Sequence, residues 1–517
     1  MFSTHKTKLA LVLSLVLACA SSGVLAAGAP VFPIYEYEVK GNSLLTALQI
    51  EKVMSPFAGE KKTIQDVELA RATLEKAYHE AGYLSVLVTI PEQNVDSAVV
   101  TLQVVEANVD KLTIRGAEYT APSVIRSKLA ELTGDKAPNF NVMQQQLAEL
   151  NRSNDLKVTP ILKQGAAPGT IDVQLDVEDQ SALHGNVEVN NRHAANTSSS
   201  RLITGIRYDN LYQAGHSIGF TMQKSPELLS DLSVYSLNYA MPLSSAGSSL
   251  SMYAVRSRSL ALRGDLITDG DTLGFRISSP LKGSDSYSHN TSLGLDYKNQ
   301  RAFIATENKG APQYVPLVAS YSGTYLGQGQ TTVIDATLTN GLRGMFTNKE
   351  VNFNDRGRGA SANFSTIKLG LTRTDILMKW ALVSKLDIRG ASGILLSPEQ
   401  MTLGGADTVR GYLEGERVGD HGYRGSLEIQ TPSAILGQGL SEWRLKGLGF
   451  YEVGAVFTAQ RLTTPSSKDQ LSSSGLGLRL SAARGFNVDA DLAKTLKAGA
   501  VTPVGEKRYT LRAVWNF

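Results

Sequence analysis

From about residue 182 to the C-terminus, apolar and polar positions alternate one by one over segments of about ten residues, separated by clusters of Gly, Ser, Asn and Asp. The last segment is the clearest. Tyr509, Leu511, Ala513, Trp515 and Phe517 fall on one face, and Arg508, Thr510, Arg512 and Asn516 on the other. In the same way Tyr235, Leu237, Tyr239 and Met241 oppose Ser236 and Asn238, and Leu476, Leu478 and Leu480 oppose Gly475, Gly477, Arg479 and Ser481. Successive side chains on a strand point to opposite faces, so each segment has one apolar and one polar side. Lipid offers no partner to a free backbone N–H or C=O, so strands that cross a bilayer must close on themselves. The pattern therefore predicts an all-β transmembrane barrel of about sixteen antiparallel strands over residues 182–517, with the aromatics outside and a polar lumen. A soluble array of β-sandwiches is the competing reading; it would bury its aromatics and tend toward shorter strands.

Residues 33–180 have a different texture. Val67, Ala70, Leu74, Ala77, Tyr78 and Ala81 recur at helical spacing and Gly82 stops the run, which predicts an amphipathic helix. Strands are predicted at 35–39, 84–90 and 98–105. The order then repeats, with a strand at 111–115, helices at 123–132 and 141–151, and strands at 157–162 and 170–177. Two successive β-α-α-β-β units, 33–107 and 108–180, follow from that repeat in preference to one α/β domain.

The first thirty residues are an address. His5, Lys6 and Lys8 precede an apolar stretch from Leu9 to Ala20, and Val24-Leu25-Ala26 fits the small-residue cleavage rule. This predicts a secretory signal peptide over 1–26. The apolar stretch is short for a membrane anchor, and Val16-Leu17-Ala18-Cys19 is a weaker match to a lipoprotein signal. The single cysteine of the chain, Cys19, would leave with the signal, so the mature chain would carry no disulfide and no thiol nucleophile.

Composition narrows the function classes. Of 517 residues only 19% are charged and the net charge is +3, with Lys and Arg scattered, so no nucleic-acid partner is expected. Mean hydropathy is −0.11, and no uncharged apolar run of about eighteen residues follows the signal, which excludes a bundle of membrane helices. No HExxH, GxSxG or P-loop pattern occurs and the seven His are dispersed, so no enzyme, catalytic residue, cofactor or metal site is expected.

One barrel segment departs from the alternation. Residues 403–425 are Gly-rich and lie between strand segments predicted at 378–389 and 422–431, with Val409-Arg410-Gly411-Tyr412 at the centre. A long loop of this kind is usually functional or disordered. An arginine suits the tip of a loop folded into a barrel, because its planar fork can hold a carboxylate on the wall. Downstream, Leu427 and Ile429 put Glu428 on the lumen side. Tyr451, Val453, Ala455 and Phe457 facing lipid do the same for Phe450 and Glu452, and Val488, Ala490 and Leu492 for Asp489 and Asp491. Arg410 thus has several candidate partners, Glu452 first. Equally, lumen acids can be solvated as in any porin.

These residues resemble a known family. Two α/β units followed by a barrel with Val-Arg-Gly-Tyr in a long loop are similar to the TpsB transporters of two-partner secretion, of the ShlB/FhaC/HecB haemolysin secretion/activation type, in the outer-membrane POTRA-barrel superfamily. Phe450-Tyr451-Glu452-Val453-Gly454 matches a family strand motif Phe-x-Asp-x-Gly, and Gly475-Leu476-Gly477-Leu478-Arg479 matches Gly-x-Gly-x-Arg. Asp209-Asn210-Leu211 and Asn238-Tyr239-Ala240-Met241-Pro242 also resemble family barrel segments.

The resemblance implies POTRA domains at 33–107 and 108–180, and a barrel at 182–517 with loop 395–421 folded inward. It pairs Arg410 with Glu452, where Glu stands in place of the family's Asp, and leaves Asp489 or Asp491 as partners in another state. A secreted TpsA-type polypeptide is the implied partner, with outer-membrane lipid around the barrel. Tyr509, Trp515 and Phe517 would be the signal read by the barrel-assembly machinery, and the protein would act as a monomer in the outer membrane of a Gram-negative cell. Many relatives carry an N-terminal plug helix. Here only about half a dozen residues separate the cleavage site from Tyr35, room for a turn or two. The pore would then be closed by loops or conduct more freely. An insertase of other barrels and a passive channel are the alternatives. The count of two POTRA units argues against the first, and their presence against the second.

Overall fold

Two apolar clusters organise the N-terminal third of the chain. In the computed structural model Val67, Ala70, Leu74 and Tyr78 share one face of the helix Ile64–Glu80 and pack on Val86, Val88, Val100, Leu102 and Val104. Those valines and leucines alternate along strands Val86–Thr89 and Val99–Glu106, so a helix stripe meets a sheet face. Glu36–Lys40 runs parallel to Val99–Glu106 and completes a three-stranded sheet. A further ladder, Phe32–Ile34 with Gly59–Lys62, was not foreseen from periodicity, because both runs are too short to show any. A second shorter helix, Ala47–Met54, starts at a capping box: Thr46 N donates to Gln49 Oε1 at 2.9 Å, and Gln49 N to Thr46 Oγ1 at 3.4 Å.

The second cluster repeats the plan. Ile125, Leu129, Phe140, Met143, Leu147 and Leu150 cover a sheet in the order Asn108–Arg115, Thr170–Asp179, Leu156–Gln164. The helix expected at 123–132 is cut in two, into Pro122–Lys128 and a 3₁₀ turn at 130–132. Leu129 leaves the helical region (φ −108°, ψ 53°) and its buried side chain joins the core there. The repeats touch through Gly82, which takes φ +99° at the end of Ile64–Glu80. Phe140 N donates to its carbonyl at 2.8 Å, and Asn139, which caps the helix Phe140–Leu150, donates through Nδ2 to Ala81 O at 2.9 Å. A Cβ on Gly82 would lie 2.4 Å from Asn139 Oδ1, so glycine is required for conformation and approach alike. The two repeats form one compact unit, up to Ala117 and Pro122–Glu178; Glu118–Ala121 and Asp179–Phe517 form the other.

The second unit is a closed barrel of sixteen long antiparallel strands, joined by the short pairing segments Glu307–Lys309, Gln313–Tyr314 and Ala434–Leu436. The first strand, Leu183–Asn190, pairs with Arg201–Leu211 on one side and with the last, Lys507–Asn516, on the other. An even strand count puts both ends on one rim. Connections there can be tight, as at 328–329 and 378–379, whereas 191–200, 342–364, 392–420 and 496–506 stand on the opposite rim. Alternation holds around the wall: Leu237, Phe275, Leu293, Ile367, Leu427, Leu476 and Leu492 are exposed outward, an apolar belt that has no place in water. Ala455 departs from this among the outward positions, since it is fully buried at the rim opposite Tyr423, and so does Ser472 in the next strand. On the last strand, Val514 interrupts the polar inner face. Among the described residues no helix is long and apolar enough to cross a membrane.

The structure describes residues 30–517 except 95–96, 230, 244–246, 262–265, 305–306, 310–312, 346–347, 358, 440–441, 460–468 and 483–484. The predicted signal peptide with Cys19, and residues 27–29 of the short segment before Tyr35, lie outside the described residues, whereas Phe32–Ile34 of that segment is a strand.

Candidate functional site

Between the strands Trp380–Ala391 and His421–Gln430 the chain turns back into the barrel over 392–420. A 3₁₀ turn at Ser397–Glu399 opens it. A small antiparallel ladder, Met401–Leu403 with Arg417–Gly419, then holds its two feet together. Leu403, Val409 and Tyr412 pack with Met401, Val456 and Leu471, so the tip is seated by apolar contact as well as by charge. Gly411 takes φ +94°, and a Cβ there would lie 3.1 Å from Ala493 Cβ on the wall. The backbone touches the wall at this point, which only glycine permits without displacement.

Arg410, 5% exposed, is caged. Its backbone N donates to Glu452 Oε2 at 2.6 Å and its Nε to Glu452 Oε1 at 2.9 Å. Nη2 lies 2.8 Å from Glu452 Oε1 and 2.9 Å from Glu428 Oε2, and Nη1 is 3.4 Å from Asp491 Oδ1. The Phe450 ring lies flat against this group, its centre 3.4 Å from the guanidinium carbon. One planar cation therefore meets three carboxylates at its edges and an aromatic face, an arrangement lysine cannot reproduce. Gly475, opposite Phe450 in the next strand, leaves room for the ring; a Cβ there would lie 2.5 Å from it.

The charges continue along the wall. Arg479 contacts Asp491 at 2.9 Å and Asp489 at 3.5 Å, and Arg512 contacts Asp489 at 3.1 Å and Glu188 at 2.9 Å. Asp489, considered as a partner of Arg410, instead serves Arg479 and Arg512. Val409 is fully buried under the tip, and Tyr412 Oη lies 2.8 Å from Ser472 O and 2.7 Å from Lys497 O, which share its one proton. Tyr412→Phe is expected to cost about 1 kcal/mol of loop anchoring, since Lys497 O loses its donor while Ser472 O keeps Leu496 N at 2.8 Å. Faster proteolytic nicking at 404–416 in the intact protein would register it, and an unchanged rate would refute it.

Tyr509, Trp515 and Phe517 stand apart from this cluster, on the outer wall. Phe517 packs against Trp515 with ring centres 4.8 Å apart and planes tilted by 38°, and lies over Gly185, with which it exchanges backbone bonds of 2.7 and 2.9 Å. Several participants carried no signal in the sequence. Phe450 was placed inward by alternation but not under the arginine. Glu416, whose charge burial opposes but four donors hold below the usual carboxylate range, sits in the loop itself; Thr502 N and Oγ1, Val501 N and Leu413 N bond to it. Arg192 pairs with Asp407 at 3.1 Å. The foot of the loop is held by Glu399, which contacts Lys298 at 2.5 Å and accepts from Tyr314 Oη at 2.9 Å. Apart from Leu413 with Glu416, these are meetings of residues distant in sequence.

Comparison with known proteins adds independent findings. A family model described as "Haemolysin secretion/activation protein ShlB/FhaC/HecB" matches residues 169–480, more than half of the chain. A second, "POTRA domain, ShlB-type", matches residues 32–107. The heme/hemopexin transporter protein HuxB of Haemophilus influenzae is 20% identical, over 90% of this chain and 84% of its own. The outer membrane transporter CdiB of Dickeya dadantii is 22% identical, over 78% and 73%. Among solved structures, CdiB from Escherichia coli superposes with TM-score 0.67 at 16% identity, covering 97% of this chain and 93% of that one. BamA from Haemophilus ducreyi superposes with TM-score 0.56 at 15% identity, covering 94% and 100%.

Proposed function

Because the chain belongs to the haemolysin secretion/activation family ShlB/FhaC/HecB, we propose that it captures an unfolded exported polypeptide on its POTRA units, 33–107 and 108–180, and passes it through the barrel of 182–517. The protein is an outer-membrane transporter of the two-partner type, its partner a secreted TpsA-type polypeptide and its POTRA region periplasmic. Capture would use sheet edges. Glu36–Lys40 and Leu156–Gln164 each lie at the edge of a three-stranded sheet, and an extended segment can add there as a further strand. Folding of the cargo outside would make passage one-way. The signal peptide 1–26 would deliver the chain to the periplasm, and the outward Tyr509, Trp515 and Phe517 would be read by the barrel-assembly machinery.

The observation that carries the mechanism is Arg410, held inside the barrel by Glu452, Glu428 and Asp491. The loop tip then acts as a clamp in the lumen, and Arg479 and Arg512 keep the neighbouring acids Asp491, Asp489 and Glu188 paired. The reading is tested by co-expressing the chain with an exported β-helical partner. Release of the partner into the medium should depend on this protein and stop on deletion of 33–180, with the barrel still inserted. Release at the same level without those units would refute capture by them.

A further inference from the structure

The joint between the first and last strands is the one place where the barrel closes without a connecting turn. It is also short. Lys507–Asn516 meets Leu183–Asn190 in register over Arg512–Asn516 with Asn190–Asn186, with one step more at each end through Gly185 with Phe517 and Asn191 N with Leu511 O. The rest of the last strand, Lys507–Thr510, has no backbone partner on this side among the described residues, whereas the first strand is paired along its whole length with Arg201–Tyr208 on its other side. Past the register, one side chain stands in for a strand. Asn191 donates through Nδ2 to Tyr509 O at 3.1 Å and accepts from Leu511 N through Oδ1 at 2.9 Å, as a backbone amide would. Beyond it lies a cavity of about 340 Å³, between the loop tip and the edge that holds Tyr509.

The inward-folded loop reaches both banks of this joint. On the first-strand side, Asp407 pairs with Arg192 at 3.1 Å, and Glu414 N donates to His193 O at 3.0 Å. On the last-strand side, Glu416 accepts from Val501 N at 2.8 Å and from Thr502 N and Oγ1, both at 2.7 Å. Gly499 is shaped to it, since a Cβ there would fall 2.0 Å from Glu416 Oε1. Deeper in the barrel, Arg410 reaches the same joint through Asp491, Arg479, Asp489 and Arg512, and the final pair, Arg512 with Glu188, crosses it.

We propose that Glu416 and Arg192 are positioning residues through which the inward-folded loop staples the joint between the first and last strands, so that the joint loosens when the tip withdraws. The physical reason is connectivity. Every other strand pair is closed by a chain connection as well as by its ladder, while this pair has a short ladder alone, so cross-links from a third segment count for more. The inference rests on the barrel geometry and not on the transport reading.

Hydrogen exchange read by mass spectrometry on the full chain in lipid nanodiscs tests it. In Glu416→Gln and Thr502→Val, peptides covering 184–191 and 508–516 should exchange about tenfold faster than in the wild type. Peptides from Ser365–Leu377 and Trp380–Ala391, on the far wall, should be unchanged. Thr502→Ser keeps the hydroxyl and should restore wild-type exchange, which a role in packing alone would not predict. Arg192→Gln, from the other bank, carries the same expectation and serves if either variant fails to insert. Unchanged exchange at the joint, equal loosening all round the barrel, or failure of Thr502→Ser to restore protection would each overturn the proposal.

Discussion

Replacing Arg410 by alanine is expected to lower secretion of the partner by about a hundredfold or more, with the barrel still inserted in the membrane. The side chain is buried among Glu452, Glu428 and Asp491. Removing one member of a buried ion pair typically costs about 3–5 kcal/mol, because the charges left behind are uncompensated. Here three carboxylates would be left, with Arg479 as the only other cation contacting one of them in the network described. That cost falls on the seating of the loop tip. The barrel itself is held by ladders around sixteen strands and loses none of them. Arg410→Lys keeps the charge but loses the fork and the stacking on Phe450, so it should fall between the two. Partner in the medium, against the heat-dependent gel migration of the folded barrel, separates the two effects. Wild-type secretion by the alanine variant would refute a clamp at Arg410.

Glu452→Gln is expected to have the second largest effect, about a tenfold loss of secretion, as a charged hydrogen bond contributes about 1.5–3 kcal/mol. Glu452 meets Arg410 at its backbone N, Nε and Nη2, whereas Glu428 and Asp491 each meet one nitrogen. Glutamine keeps the shape but turns an NH2 group toward a cation. Glu428→Gln and Asp491→Asn should therefore do less, and Glu452→Asp, which keeps the charge one methylene further back, should retain most activity. The charge reversal Arg410→Glu with Glu452→Arg should not restore secretion, because the new glutamate would face Glu428 and Asp491. Equal effects from the three neutralised acids would show that Glu452 has no special place in the cage.

Much of the fold was legible from periodicity because periodicity is local. Two-residue alternation assigns Glu428, Glu452, Asp489 and Asp491 to the polar face of their strands without reference to any partner, and the structure has all four on the lumen side. Helical spacing likewise marks Val67, Ala70, Leu74 and Tyr78, and all four are core. Local reasoning failed where tertiary contact set the outcome. The helix expected over 123–132 breaks at Leu129 to bury that side chain, and Phe32–Ile34 becomes a strand only because Gly59–Lys62 lies beside it. Ala455 has the right parity for an exposed site but is covered at the rim.

By itself, then, the sequence determined the two textures of the chain, the sidedness of each strand, and the presence of an arginine-tipped loop among inward acids. The tertiary structure alone decided which acids share the arginine. Glu452, Glu428 and Asp491 come from three different strands, and Asp489, two residues from Asp491 and on the same face, is taken by Arg479 and Arg512. It also decided that the same loop spans the barrel's closing joint, through Arg192 on one bank and Glu416 on the other. Facing direction follows from the backbone of one strand, which is written in consecutive residues. Partner choice depends on stagger between strands and on where a long loop comes to rest, and those are set by closure of the whole barrel.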